Sequence, residues 1–95
     1  MSASGGVINN AVRRRFESDA DGQIAWLSYA VRDGKLVLIH TEVPKALEGL
    51  GYGSALARTA LEYATREHLR VVPRCPFVRG YLQRHPEYAS LVKRE

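Results

Sequence analysis

Two hydrophobic periods divide the chain. Residues 24–31 alternate Ile24, Trp26, Ser28 and Ala30 against Ala25, Leu27, Tyr29 and Val31. That period-two pattern is a strand, and apolar residues on both sides of it predict a strand with both faces largely covered. Residues 35–43 are the most apolar run, closed by Pro44, and Asp33-Gly34 between the two runs is a two-residue hairpin signal. Residues 12–17 can form an earlier strand, with Asp19-Ala20-Asp21-Gly22 as the turn that follows. The first half therefore predicts an antiparallel meander of about three strands.

Beyond residue 53 the period changes. Leu56, Ala57, Ala60, Leu61 and Ala64 recur at helical spacing, while Arg58, Glu62 and Arg66 step along the opposite face. Residues 69–72 predict a short buried strand stopped by Pro73 and Pro76. Residues 77–84 predict a second helix ended by His85-Pro86, and Tyr88, Leu91 and Val92 a tail that packs back. The order β-β-β-α-β-α is an α/β (α+β) fold, in which a right-handed crossover through the long helix makes the last two strands parallel.

Composition narrows the picture modestly. A chain of 95 residues, 45% hydrophobic and 25% charged, suits one soluble globular domain, here residues 11–95, with residues 1–10 expected as a flexible lead-in. The opening MSASGG has neither the basic region nor the apolar core of a secretory signal, and no run is long enough to span a membrane. Cys75, the single cysteine, excludes an internal disulfide and fits a reducing cytoplasm. The net charge of +4 favours anionic partners of any kind. Its densest cluster, Arg13-Arg14-Arg15, reads as an edge strand kept from sticking by charge. Nucleic-acid binding is disfavoured because the chain has no basic helix and no clustered aromatic platform.

Gly49, Gly51 and Gly53 stand at the strand-to-helix junction. A helix start offers unpaired N–H groups and the positive end of the macrodipole, a good seat for phosphate oxygens, and missing Cβ atoms allow close approach. A plain turn is the other reading, and spacing alone does not separate them. The dinucleotide fingerprint needs G-x-G-x-x-G, and the triphosphate loop needs Gly-Lys-Ser/Thr; neither is present.

The segment Glu48-Gly49-Leu50-Gly51-Tyr52-Gly53 resembles the Q/R-x-x-G-x-G/A pyrophosphate loop of the GCN5-related N-acetyltransferases (GNATs). With H-T-E-V-P, C-P-F-V and H-P-E-Y, the resemblance extends from about residue 16 to residue 92. It points to the short, stand-alone YjdJ-type branch of that superfamily. One departure is Glu48, which stands where most relatives carry Gln or Arg. A carboxylate there would repel a pyrophosphate unless its side chain turns away.

The resemblance implies a minimal GNAT fold: β-meander, glycine loop, long helix, splayed parallel fourth strand and C-terminal helix. It implies acetyl-CoA or coenzyme A as co-substrate, no metal, and acetyl transfer by direct attack of an amine, small-molecule or protein-borne. The alternative is a CoA-binding module without efficient transfer. The cofactor would be held by the backbone of Glu42 and Val43 and by the amides of Gly49, Leu50, Gly51, Tyr52, Gly53 and Ser54, with Cys75 and Tyr81 near its sulfur. Tyr81 is the candidate general acid, or a core aromatic packed with Phe77. His40 and Glu42, two residues apart on one strand face, are candidate bases. Cys75 is a candidate acyl acceptor if His40 or His85 makes its thiolate, or a small buried residue lining the pocket. His85 and Glu87 read as fixing the C-terminal turn. The helices that larger relatives place after their first strand are missing, which leaves the acceptor side open or completed by a second subunit.

Overall fold

The computed structural model describes residues 6–92. Five strands form one sheet in the order β1-β2-β3-β4-β5: β1 Val7–Asn10, β2 Arg15–Ala20, β3 Gln23–Arg32, β4 Lys35–Glu42 and β5 Arg70–Pro73. The first four pair antiparallel and β4 pairs with β5 in parallel. Helix α1 (Tyr52–Arg66) makes the crossover, and α2 (Pro76–Arg84) leads into a 3₁₀ segment, Pro86–Leu91.

Local chemistry sets these boundaries. The β2–β3 and β3–β4 turns place Asp21-Gly22 and Asp33-Gly34 at positive φ, as tight primed hairpin turns require. Gly22 N–H is also held by Asp19 Oδ1 at 2.7 Å. Pro76 occupies the first turn of α2, where its missing N–H costs nothing. In α1, the helical-period set Leu56, Ala57, Ala60, Leu61 and Ala64 is fully buried. It packs with Phe16, Leu27, Tyr29, Leu36, Leu38 and Val71 from the sheet, and with Val78 and Tyr81 from α2. Tyr88 and Leu91 close the edge of this core, and Val92 bridges to Val71, so the tail does pack back.

The structure corrects three expectations. The meander has four strands, because Val7–Asn10 pairs with β2 instead of belonging to a flexible lead-in. Tyr29 Oη donates to Asn9 Oδ1 at 2.6 Å and Asn10 Nδ2 to Glu17 Oε2 at 3.2 Å, and these bonds tie the strand down. Residues 1–5 of that lead-in lie outside the described residues. Arg13 and Arg14 are not in an edge strand: they sit exposed in the β1–β2 turn, with Arg14 at φ 55, and only Arg15 enters β2. Strand β3 is buried on one face alone (Ala25, Leu27, Tyr29), and its Ile24, Trp26, Ser28 and Ala30 are half-buried, because both helices pack on the other side.

The core face of α1 is the fold's main apolar seam. Leu61→Ala is expected to lower unfolding free energy by about 2–5 kcal/mol in urea titration. Val12→Ser, at a side chain 95% exposed, should change it by no more than about 0.5 kcal/mol.

Candidate functional site

Strand β4 has two lives. From Lys35 to Leu38 it pairs with β5, ending at Leu38 opposite Pro73. Proline has no N–H to continue the ladder. The next two amides, of Arg74 and Cys75, both donate to the single carbonyl of Leu38, at 2.9 and 3.0 Å. The chain then turns into α2, and residues 39–42 of β4 keep no strand partner on their β5 side among the described residues.

A β-bulge falls at the same place. Tyr29 pairs with Leu38 but Ser28 pairs with His40, so Ile39 is the extra residue. A strand without the bulge would put His40 and Glu42 on the face of Leu36 and Leu38, toward the core. The inserted residue turns them to the opposite, helix-free face and brings Thr41 to the core side.

An open cleft of about 470 Å³ occupies the gap. Its walls are His40, Thr41 and Glu42 of β4 with Val43 just past it, then Leu47, Glu48 and Gly49 from the loop, Tyr52 and Gly53 from the start of α1, and Phe77 from α2. Gly49 (φ 78) and Gly51 (φ 90) take the left-handed backbone that glycine tolerates, and nothing lies within 4 Å of where their Cβ atoms would be. Gly51 caps α1 with no side-chain hydrogen bond, and the first turn carries no acid. The first intrahelical bond is Ala55 N–H to Gly51 C=O at 3.0 Å, so the amides of Tyr52, Gly53 and Ser54 have no partner inside the helix. Gly53 has a different job. A Cβ there would meet Phe77 Cζ at 2.7 Å, so its bareness admits the Phe77 ring, which bridges the starts of α1 and α2.

On the helix-free face, cross-strand register lines up Glu17, Trp26 and Glu42 in one row and Arg15, Ser28 and His40 in the next. His40 Nε2 lies 2.9 Å from Glu42 Oε1, with both side chains more than half exposed. The Trp26 and His40 rings meet edge-to-face at 5.5 Å, and the Arg15 guanidinium sits 5.1 Å from the Trp26 centroid. Arg15 is also paired with Glu17. Burial pushes the Glu17 carboxyl up, but hydrogen bonds from Arg15 and Asn10 outweigh it and hold the group below the usual carboxylate range.

The expected site residues separate into two groups. His40, Glu42, Val43, Gly49, Tyr52 and Gly53 line the cleft; Gly51 and Ser54 flank it in the chain, and Leu50 is exposed beside it. Cys75 is 2% exposed and stands behind the wall, its Sγ 3.1 Å from Thr41 Oγ1, so a hydroxyl and not an imidazole is its hydrogen-bond partner. Tyr81 is 4% exposed in the core. Its ring stacks on His85 at 4.1 Å, and Phe77, expected as its packing partner, lies instead on Gly53. Burial raises the Tyr81 phenol above its ordinary pKa of 10.0, so it is protonated at neutral pH. His85 faces Glu87 at 3.4 Å and accepts the Tyr88 N–H at its carbonyl, which fixes the C-terminal turn. Glu48 does line the cleft. Trp26, Thr41 and Phe77 are additions that sequence reasoning missed; no local pattern in residues 36–42 announces the bulge that sets the face of Thr41.

Comparison with known proteins gives a consistent result. Residues 15–91 match the family model described as GCN5-related N-acetyl-transferase. The protein NATD1 of Xenopus tropicalis is 33% identical over 88 residues, covering 90% of this chain and 81% of that protein. NATD1 of Mus musculus is 34% identical over 83 residues, covering 84% and 76%. A GCN5-like protein from Staphylococcus aureus, solved by NMR, shares the fold at a TM-score of 0.72 and 23% identity, covering 98% of this chain and 91% of that one.

The Gly53–Phe77 contact yields a double-mutant test. Gly53→Ala should lower the melting temperature, and adding Phe77→Ala should remove most of that loss, giving a coupling of about 0.5–3 kcal/mol. Additive effects would mean the two residues do not meet.

Proposed function

The chain belongs to the GCN5-related N-acetyltransferase family, and from that premise we propose that it binds acetyl-CoA in the β4–β5 cleft and transfers the acetyl group to an amine. The observation that carries this reading is the coincidence of an unpaired strand edge with an uncapped helix start in one cleft. An extended amide-bearing arm can add to the edge as a strand does. Its pyrophosphate can take the amides of residues 52–54, which lack a partner inside the helix, and those of the glycine loop before them. Among the described residues, no lysine or arginine lines the cleft, so those oxygens would rely on backbone donors and the α1 dipole.

In this reading the pantetheine amides pair around Glu42 and Val43, and an N–H there polarises the thioester carbonyl. The amine nitrogen attacks the carbonyl carbon; the C–N bond forms, the C–S bond breaks, and the electron pair leaves on the CoA sulfur. Glu42 is an acceptor only, so its bond to His40 places the proton on Nε2 and leaves the Nδ1 lone pair to take the amine proton. The thiolate takes its proton from water. Positioning supplies much of the rate gain. A second reading, a CoA-binding module without transfer, is favoured because no helix covers the outer sheet face among the described residues.

Calorimetry with acetyl-CoA and with CoA tests the shared premise. Sub-millimolar binding is expected for both ligands, and no heat in that range contradicts both readings. Removing the misplaced carboxylate in Glu48→Gln should tighten binding roughly threefold at low salt. Thiol release with one amine and not with others separates transferase from sensor.

A further inference from the structure

The proposed reaction ends with charge on the CoA sulfur. Tyr81 and Cys75, the residues expected beside that atom, do not line the cleft: Tyr81 is 4% exposed in the core and Cys75 stands behind the wall. Among the described residues, two side-chain hydroxyls do line it, those of Tyr52 and Thr41. Tyr52 belongs to the turn of α1 whose amides would take the pyrophosphate. From there the arm runs back along the β4 edge toward Leu38, where β5 leaves the sheet, so its sulfur end comes to Thr41. The bulge at Ile39 turns Thr41, alone of residues 40–42, to the side of the helices.

This hydroxyl is also poised to donate. Thr41 Oγ1 lies 3.1 Å from Cys75 Sγ, and Cys75 is 2% exposed. The hydroxyl oxygen is the better acceptor of the two, and it can accept one hydrogen bond while donating another. With the thiol proton on Oγ1, the hydroxyl's own proton is left for the cleft.

We infer that Thr41 is a further catalytic residue, whose hydroxyl donates a hydrogen bond to the departing CoA sulfur, with the Cys75 thiol as its backing donor. The inference rests on the acetyl-CoA reading. No proton changes hands at this contact, because an alcohol is a far weaker acid than a thiol. The C–S bond breaks, the electron pair stays on sulfur, the Thr41 hydroxyl steadies that charge, and water supplies the proton. A donor to charge that grows as the bond breaks strengthens in the transition state, so it acts on kcat more than on KM.

CoA itself is the probe, because its thiol can be titrated on the protein with no acceptor present. CoA isotope-labelled at the carbon bonded to sulfur is held at saturation, and the NMR shift of that carbon is followed against pH. The titratable groups lining the cleft are His40 and Glu42 on β4, Glu48 on the loop and Tyr52 on α1, while α2 contributes Phe77. Substitution at Thr41 leaves all of these in place. Thr41→Val and Thr41→Ala remove the donor with different bulk. Each should lower the thiolate-to-thiol ratio of bound CoA roughly tenfold at a given pH, and Thr41→Ser should restore it; circular dichroism checks folding. Bound CoA that titrates alike in wild type and in the hydroxyl-free variants overturns the assignment. So does a ratio that falls on Tyr52→Phe and not on Thr41→Val. Failure of CoA to bind the wild-type protein in calorimetry instead sinks the acetyl-CoA reading itself, and the proposal with it.

Discussion

Beyond Leu38, strand β4 has one neighbour instead of two. Pro73 cannot donate, and the Arg74 and Cys75 amides converge on one carbonyl, so β5 leaves the sheet at that point. Everything in the candidate site follows from the departure. The unpaired edge of residues 39–42 becomes one wall, the start of α2 brings Phe77 to another, and the crossover sets the amides of α1 between them. A sheet edge left open inside a molecule costs hydrogen bonds unless something completes it. In the proposed reading, a ligand with its own amides completes it.

The bulge at Ile39 decides which side chains of β4 face the core and which face outward. It moves His40 and Glu42 away from the core and leaves Thr41 facing inward against Cys75. Cys75 thus has a hydroxyl neighbour and little exposure, the setting of a small packed residue. The same step sets His40 against the half-buried Trp26, which also carries the Arg15 guanidinium, on the outer face. Both helices pack on the opposite face, so this row of polar and aromatic side chains is open to solvent.

Much of the fold was legible because short-range chemistry wrote it. The alanine-rich face of α1, the Asp-Gly turns and the prolines around β5 each act within a few residues, and each lies where its pattern predicts. Strand β1 was not legible: Val7–Asn10 is short and polar, held by partners at Tyr29 and Glu17 that no local pattern announces. The glycine loop was read as a unit, yet its members act differently. Gly49 and Gly51 supply a backbone conformation, whereas Gly53 makes room for a ring far along the chain. Candidate residues on β4 and the loop reach the cleft, but Tyr81 and Cys75 do not line it, because the direction a helix faces after a tight turn depends on tertiary packing.

Amide chemical-shift mapping during an acetyl-CoA titration tests the central claim most directly. The account expects saturable shifts at residues 40–43 and 49–54, with little change at the β1–β2 turn. Shifts confined to that arginine-bearing turn, or none along the β4 edge, would contradict it.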